Sequence, residues 1–214
     1  MERAIFQRAT TRYSTAAKVF GRAAFWSLAM PALLLAGCTK NSESPAKKAT
    51  LHEVMKDEID TRGDDVWAVG NEHMTEDAGL NGTTMTDADW AKLAGAATSL
   101  QQAALDLATL PDPIVVVKPG AKIAFEDTDW GDSAASVQHN VDQDPQGVRD
   151  LANELAQHMA DLANAANKHD ADTAGKLIND LDGICENCHV KYWYPSQTKL
   201  IETIRKTTGE DPTT

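Results

Sequence analysis

The sequence predicts an all-α fold, an up-down-up-down four-helix bundle with a long loop between its second and third helices. Two observations carry that expectation. Apolar residues recur at helical spacing over four separate stretches, and the later stretches open on residues suited to capping a helix.

The first stretch, from Leu51 to about Val69, places Leu51, Met55, Ile59, Val66 and Val69 on one stripe, with Glu53, Lys56, Asp57 and Asp60 on other faces. Gly63 costs about 1 kcal/mol relative to Ala inside a helix, so a kink or an early end is expected near Arg62. Residues 71–83 form a connection containing Gly79 and Asn81-Gly82. A second helix starts at Thr86, whose hydroxyl caps the turn with Asp89 three residues on, carries Trp90, Leu93, Ala97, Leu100, Ala104 and Leu107, and stops before Pro111. Residues 111–143 exceed the ~12 to 15 beyond which structureless loops become uncommon in compact domains. Within them Ile114-Val115-Val116-Val117 reads as a short strand or an extended segment over the bundle, with Trp130 plugging the loop to the core. Asp144-Pro145, a capping residue followed by proline, opens the third helix, with Val148, Leu151, Leu155, Met159 and Leu162 as its stripe. Asp170 or Asp172 starts the fourth, whose stripe of Ala174, Leu177, Leu181, Ile184 and Cys188 ends at Tyr194-Pro195. A short turn around Leu200, Ile201 and Ile204 is expected before the end frays.

Before the bundle, residues 1–37 read as an export signal peptide, with Arg3, Arg8, Arg12, Lys18 and Arg22 as the basic region and Ala23 to Ala36 as the apolar one. Leu34-Leu35-Ala36-Gly37-Cys38 resembles the lipobox of bacterial lipoproteins, which implies lipidation of Cys38. A transmembrane anchor is the alternative, but the apolar stretch is shorter than the ~20 residues of a span and is broken by Pro31. Residues 38–49 are a polar tether, 50–196 the bundle domain and 197–214 a C-terminal tail. The signal holds five of the chain's 20 basic residues and one of its 32 acids, leaving 15 against 31, or a net charge of −16. Such a surface repels nucleic acid and anionic headgroups and attracts basic patches on protein partners. Nucleic acid is therefore excluded as a partner, and membrane contact is expected through the N-terminal lipid alone.

The fourth stretch contains Cys185-Glu186-Asn187-Cys188-His189, a C-x-x-C-H run. Two thiols at that spacing add across the vinyl groups of one haem, while the adjacent imidazole coordinates its iron. On a helix, positions i, i+3 and i+4 share a face, so Cys185, Cys188 and His189 point at one object. A zinc site or a redox dithiol are the alternatives. The chain has only three cysteines, so no second C-x-x-C completes a four-cysteine zinc site, and no βαβ pattern surrounds this one as a thioredoxin fold requires.

A helical bundle with a single C-x-x-C-H in its last helix resembles the class II cytochromes c, the cytochrome c′ and cytochrome c556 bundles. The specific motif spans residues 185–192. The family continues to an aromatic residue three after the histidine, which Tyr192 fits, and then to a basic residue, where this chain has Trp193. The resemblance implies one covalently bound haem c, attached outside the cytoplasm. With the lipobox at Cys38 the protein is expected to be periplasmic and lipid-anchored, Thr39 after that cysteine favouring the outer membrane over the inner, and the family resemblance adds a homodimer as a further expectation.

For the iron's other face, Met55 lies five residues after Thr50 and His189 five before Tyr194. At ~1.5 Å per residue they stand at one height in an up-down bundle. Low-spin members of the family place their methionine ligand on the first helix, which implies Met55. His52, one turn earlier, and an open iron remain alternatives. By height, Ile59, Leu105, Leu107 and Leu151 lie near the macrocycle, while Met159 and Met74 lie far from it. His73, His139, His158 and His169 read as surface or loop residues without a role. The expected function is electron transfer with protein redox partners that bear a basic docking surface, without enzymatic activity. The alternative is a five-coordinate, gas-binding protein of the cytochrome c′ type; a peroxidase-like enzyme would need a distal acid or base that the stripe does not supply.

Overall fold

In the computed structural model the described residues are 49–75, 79–128 and 131–208. The chain divides into two units, Met1–Ser42 and Glu43–Thr214, and every described residue belongs to the second. The expectations for residues 1–37, Cys38 and Trp130 fall outside the described residues.

The first rod of the bundle is α1 (Leu51–Val54), a π-helical turn (Met55–Asp60) and α2 (Thr61–Glu72), continuous in that order. Its start is held twice. Thr50 and Glu53 form a capping box, and the amides of Leu51 and His52 donate to the carbonyls of Val115 and Val116 at 2.8 and 3.0 Å. Four amides at a helix start have no partner inside the helix, so the extended run 114–117, a strap across the start of the rod, serves as an external cap. Among the described residues it is not a strand; the one β-bridge joins Met74 and Leu80. Nor does Gly63 end the first rod. It is buried in the interior of α2, and the irregularity falls one turn earlier, in the π turn.

The second rod, α3 (Asp87–Ala108), begins at the Thr86–Asp89 capping box and ends ahead of Pro111. The third, α5 (Pro145–Asn167), is capped by Asp144, whose carboxylate accepts from the Gly147 amide at 2.9 Å. Asp170, not Asp172, caps the fourth, α6 (Ala171–Cys188), which runs on as a second π turn, His189–Trp193.

The rods alternate in direction. Trp90 near the start of α3 stacks on His169 just past the end of α5, with ring centroids 5.1 Å apart, and Gly70 at the end of α2 lies against Ile178 in the first half of α6. Leu93, Leu100, Met159, Leu162, Ile178 and Leu181 are fully buried between them, each large aliphatic side chain contributing ~1.5–3 kcal/mol on burial. Ala97, Ala104, Ala152 and Ala166 keep the facing surfaces small, which permits close approach of the rods.

Two helices were not expected. Residues 134–143, read as loop, form α4 (Ala134–Gln143), capped by Ser133 and sealed to the core through Val137 and Val141. The end of the chain carries more than a short turn: a 3-10 turn at Pro195–Gln197 leads into α7 (Thr198–Thr208), whose first hydroxyl donates to the Pro195 carbonyl at 2.7 Å. No described helix is long and apolar enough to cross a membrane.

Candidate functional site

The four residues singled out in the sequence, Cys185, Cys188, His189 and Met55, line one cavity of about 460 Å³, within the ~300–1,000 Å³ of ordinary cofactor pockets. α6 and its π turn supply the two cysteines and the histidine from one face. The first rod supplies His52, Met55 and Ile59 from the other, and Trp67 closes that wall further along. Leu107 of α3 with Leu151 and Leu155 of α5 make the apolar floor, and Ala124 arrives from the loop after the strap.

Both walls carry a π turn, one beginning at Met55 and one at His189. An extra residue in a helical turn shifts the phase of the side chains on either side of it, and such turns recur at functional sites. Here the second lets the Tyr194 amide reach the His189 carbonyl, at 2.9 Å.

Burial sets the protonation of the motif. It pushes the Cys185 thiol up to about 12, with the carboxylates of Asp182, Asp60 and Glu186 adding to the effect. It pushes Cys188 up to about 11, against a smaller opposing pull from Lys191. These thiols stay protonated at neutral pH and so lack the low-pKa thiolate of an exchange-active dithiol. Burial also lowers His189, partly offset by Glu186, Asp182 and Asp60. Its imidazole is therefore neutral at pH 7, the form that donates a lone pair to a metal. Among the described residues no cluster of three or more His, Cys, Asp or Glu side chains is arranged to hold a metal ion by itself.

The turn that bears His189 is tied down on its outer side. The Tyr192 hydroxyl donates to the Asp144 carbonyl at 2.9 Å, Lys191 Nζ to Asp144 Oδ2 at 2.7 Å, and Asn140 Nδ2 to the Tyr192 carbonyl at 2.9 Å. The Lys191 ammonium and the Gly147 amide hold the Asp144 carboxyl below its usual range. Tyr194 rests against the His189 ring, centroids 5.7 Å apart, and donates to Glu186 Oε2 at 2.6 Å.

Other expectations sort cleanly. Ile59, Leu107 and Leu151 line the cavity as expected, but Leu105 is exposed on the outer face of α3. Met159 is buried away from the cavity and Met74 is exposed beyond the first rod. His139 is exposed. His158 is not a surface residue; it is half-buried, and its Nε2 donates to the Leu177 carbonyl of the neighbouring helix at 2.7 Å. His73 likewise packs in, its Nδ1 3.0 Å from the Thr84 hydroxyl. Trp67 and Asp182 belong to the cavity and were not singled out in the sequence, and Lys56 and Asp60, expected on other faces than Met55, line it as well. Asp60 and Asp182 carry no signal in helices rich in surface acids, whereas Trp67 lies one turn past Gly63 and rests its indole against that glycine.

The bundle, the cavity and the C-x-x-C-H face together resemble those of c-type haem proteins of the cytochrome c′-like class. The family model described as Cytochrome C' matches residues 117–193, from the strap through α4, α5 and the motif. Proteins of that family carry covalently attached haem c, are generally not enzymes and are typically periplasmic. No curated protein and no solved structure matches the chain. The matched segment holds Cys185, Cys188 and His189 and excludes the first rod with Met55.

Proposed function

We propose that the protein is a single-electron carrier whose haem c is bonded to Cys185 and Cys188 and ligated by His189 and Met55. The observation that carries this reading is that Met55, on the first rod, lines the same cavity as His189, on the turn that ends the fourth. The residues suit the group: a cavity of cofactor size, apolar walls, two protonated thiols on one helical face, a neutral imidazole beside them, and a soft thioether across from it. When bound, haem c supplies one-electron chemistry at iron, and a thioether ligand favours the ferrous state and raises the potential.

The chain's own task is then to hold a fixed coordination sphere and exclude water. Leu107, Leu151 and Leu155 keep the floor dry. The net charge of −16 beyond the signal segment draws in a protein redox partner with a basic docking face. Lipidation at Cys38 would hold the domain at a periplasmic membrane surface, the outer membrane in preference to the inner, and a second copy is a further possible partner.

In the gas-binding alternative the iron is five-coordinate, and Met55 lines its distal side, with Ile59 and Trp67, without bonding it. One spectrum separates the two. An oxidised protein that shows the methionine-to-iron charge-transfer band, and whose reduced form binds carbon monoxide slowly, supports the carrier. Absence of the band with rapid carbon monoxide binding refutes it.

A further inference from the structure

The helix missing from the sequence pattern, α4, touches the supports of both walls of the cavity. Gln138 uses its whole carboxamide: Oε1 accepts from the Val116 amide at 2.8 Å, and Nε2 donates to the Ile114 carbonyl and to Asp142, both at 2.9 Å. The strap gripped in this way turns its next carbonyls, those of Val115 and Val116, to the amides of Leu51 and His52. Lys118 pairs with Glu53, the partner of Thr50 in the capping box. Met55 follows within one turn. Two residues along α4 from Gln138, Asn140 donates to the Tyr192 carbonyl inside the turn that begins at His189. Val137 and Val141, both fully buried, root α4 in the core between these two grips.

A purely structural role would stop at satisfying the strap's backbone, since a buried amide such as that of Val116 needs an acceptor. The arrangement does more, because the two side chains hold the supports of two different lining residues of the same cavity, Met55 and His189. We propose that α4 is a brace fixing the two walls relative to each other, with Gln138 a positioning residue for Met55 and Asn140 a positioning residue for His189. The inference rests on the His189 and Met55 ligation proposed above.

The test compares the haem-loaded protein with Gln138→Ala, Asn140→Ala and the control Gln157→Ala, whose amide bonds Asp161 on the exposed side of α5. Amide hydrogen exchange at Leu51 and His52 should quicken at least about fivefold in Gln138→Ala, as expected for loss of the two hydrogen bonds that Gln138 makes to the strap. Its methionine band should weaken and its carbon monoxide binding quicken on the order of tenfold, the scale of outer-shell losses. Asn140→Ala should shift the reduction potential with the methionine band retained, and Gln157→Ala should match the parent in every readout. Unchanged exchange in Gln138→Ala, or equal effects of Gln138→Ala and Asn140→Ala on the methionine band, overturns the brace. If Gln138→Ala does not fold, Gln138→Glu keeps the bond to Val116 and loses the one to Ile114; parent-like exchange and carbon monoxide rates in it likewise overturn the proposal. A parent protein without the methionine band refutes the ligation reading alone, and exchange at Leu51 and His52 still decides the brace.

Discussion

The Tyr192 hydroxyl donates to the Asp144 carbonyl at 2.9 Å, joining the turn that carries His189 to the start of α5. Gly147 is what lets the two meet. A methyl group there would stand 2.5 Å from the Tyr192 hydroxyl and 2.6 Å from Lys191 Nζ, and closer still to the Asp144 carboxylate. Gly147→Ala should therefore destabilise the protein by about 1–3 kcal/mol through overpacking, although alanine is the better helix former. Tyr192→Phe, which keeps the ring and removes one bond, should cost only about 1 kcal/mol. Urea unfolding of the two variants measures both, and a neutral Gly147→Ala would show that the cluster opens without penalty.

Gly95 is the opposite case. It lies exposed in the interior of α3, and a methyl group there would meet nothing within 4 Å. Gly95→Ala should stabilise the protein by about 0.5–1 kcal/mol, because only the backbone freedom of the unfolded chain changes. A higher urea midpoint at unchanged slope is the expected result.

Acid should undo the helix caps. Hydrogen bonds from the Thr86 amide and hydroxyl hold the Asp89 carboxyl below its ordinary 3.8, and bonds from the Thr173 hydroxyl and amide do the same for Asp170. A carboxyl whose pKa is lower in the folded state stabilises the fold above its unfolded value, and that contribution disappears as pH falls through the lowered one. Stability should thus decline below about pH 4. Asp89→Ala and Asp170→Ala should each be less stable than the parent near neutrality and converge on it at low pH. Thermal unfolding across that range would refute the account if the gap stayed constant.

Those caps were legible in the sequence because the chemistry is local: Thr86 with Asp89, and Asp144 before Pro145, satisfy amides within three residues of themselves. The same holds for the C-x-x-C-H face, which needs only helical periodicity. α4 was not legible because its stripe is short, with Ala134, Val137 and Val141 as its buried residues, and its stability comes from contacts distant in the chain, such as Gln138 with the strap. The π turns leave no compositional trace, since they differ from α-helix by register alone. His158 looked like a surface residue because its partner is a backbone carbonyl on another helix, which no spacing rule can reveal.

Met55 and Met159 provide the sharpest contrast, since both sit on apolar helical stripes and only one lines the cavity. Met159 is fully buried between the rods, and Met159→Ala should leave a void costing about 2–5 kcal/mol while the methionine-to-iron band stays in place. Met55 is half-buried, so its truncation should cost less packing energy, yet it should abolish the band and open the iron to carbon monoxide. His52→Ala, one turn earlier on the same wall, should leave the band unchanged. The order of effects thus reverses between the calorimeter and the spectrometer. If the band is absent from the parent and carbon monoxide binds slowly until His52→Ala quickens it, the histidine is the ligand. If no band appears in any of these proteins and carbon monoxide binds rapidly to all of them, the iron is open on that side and the gas-binding reading takes over.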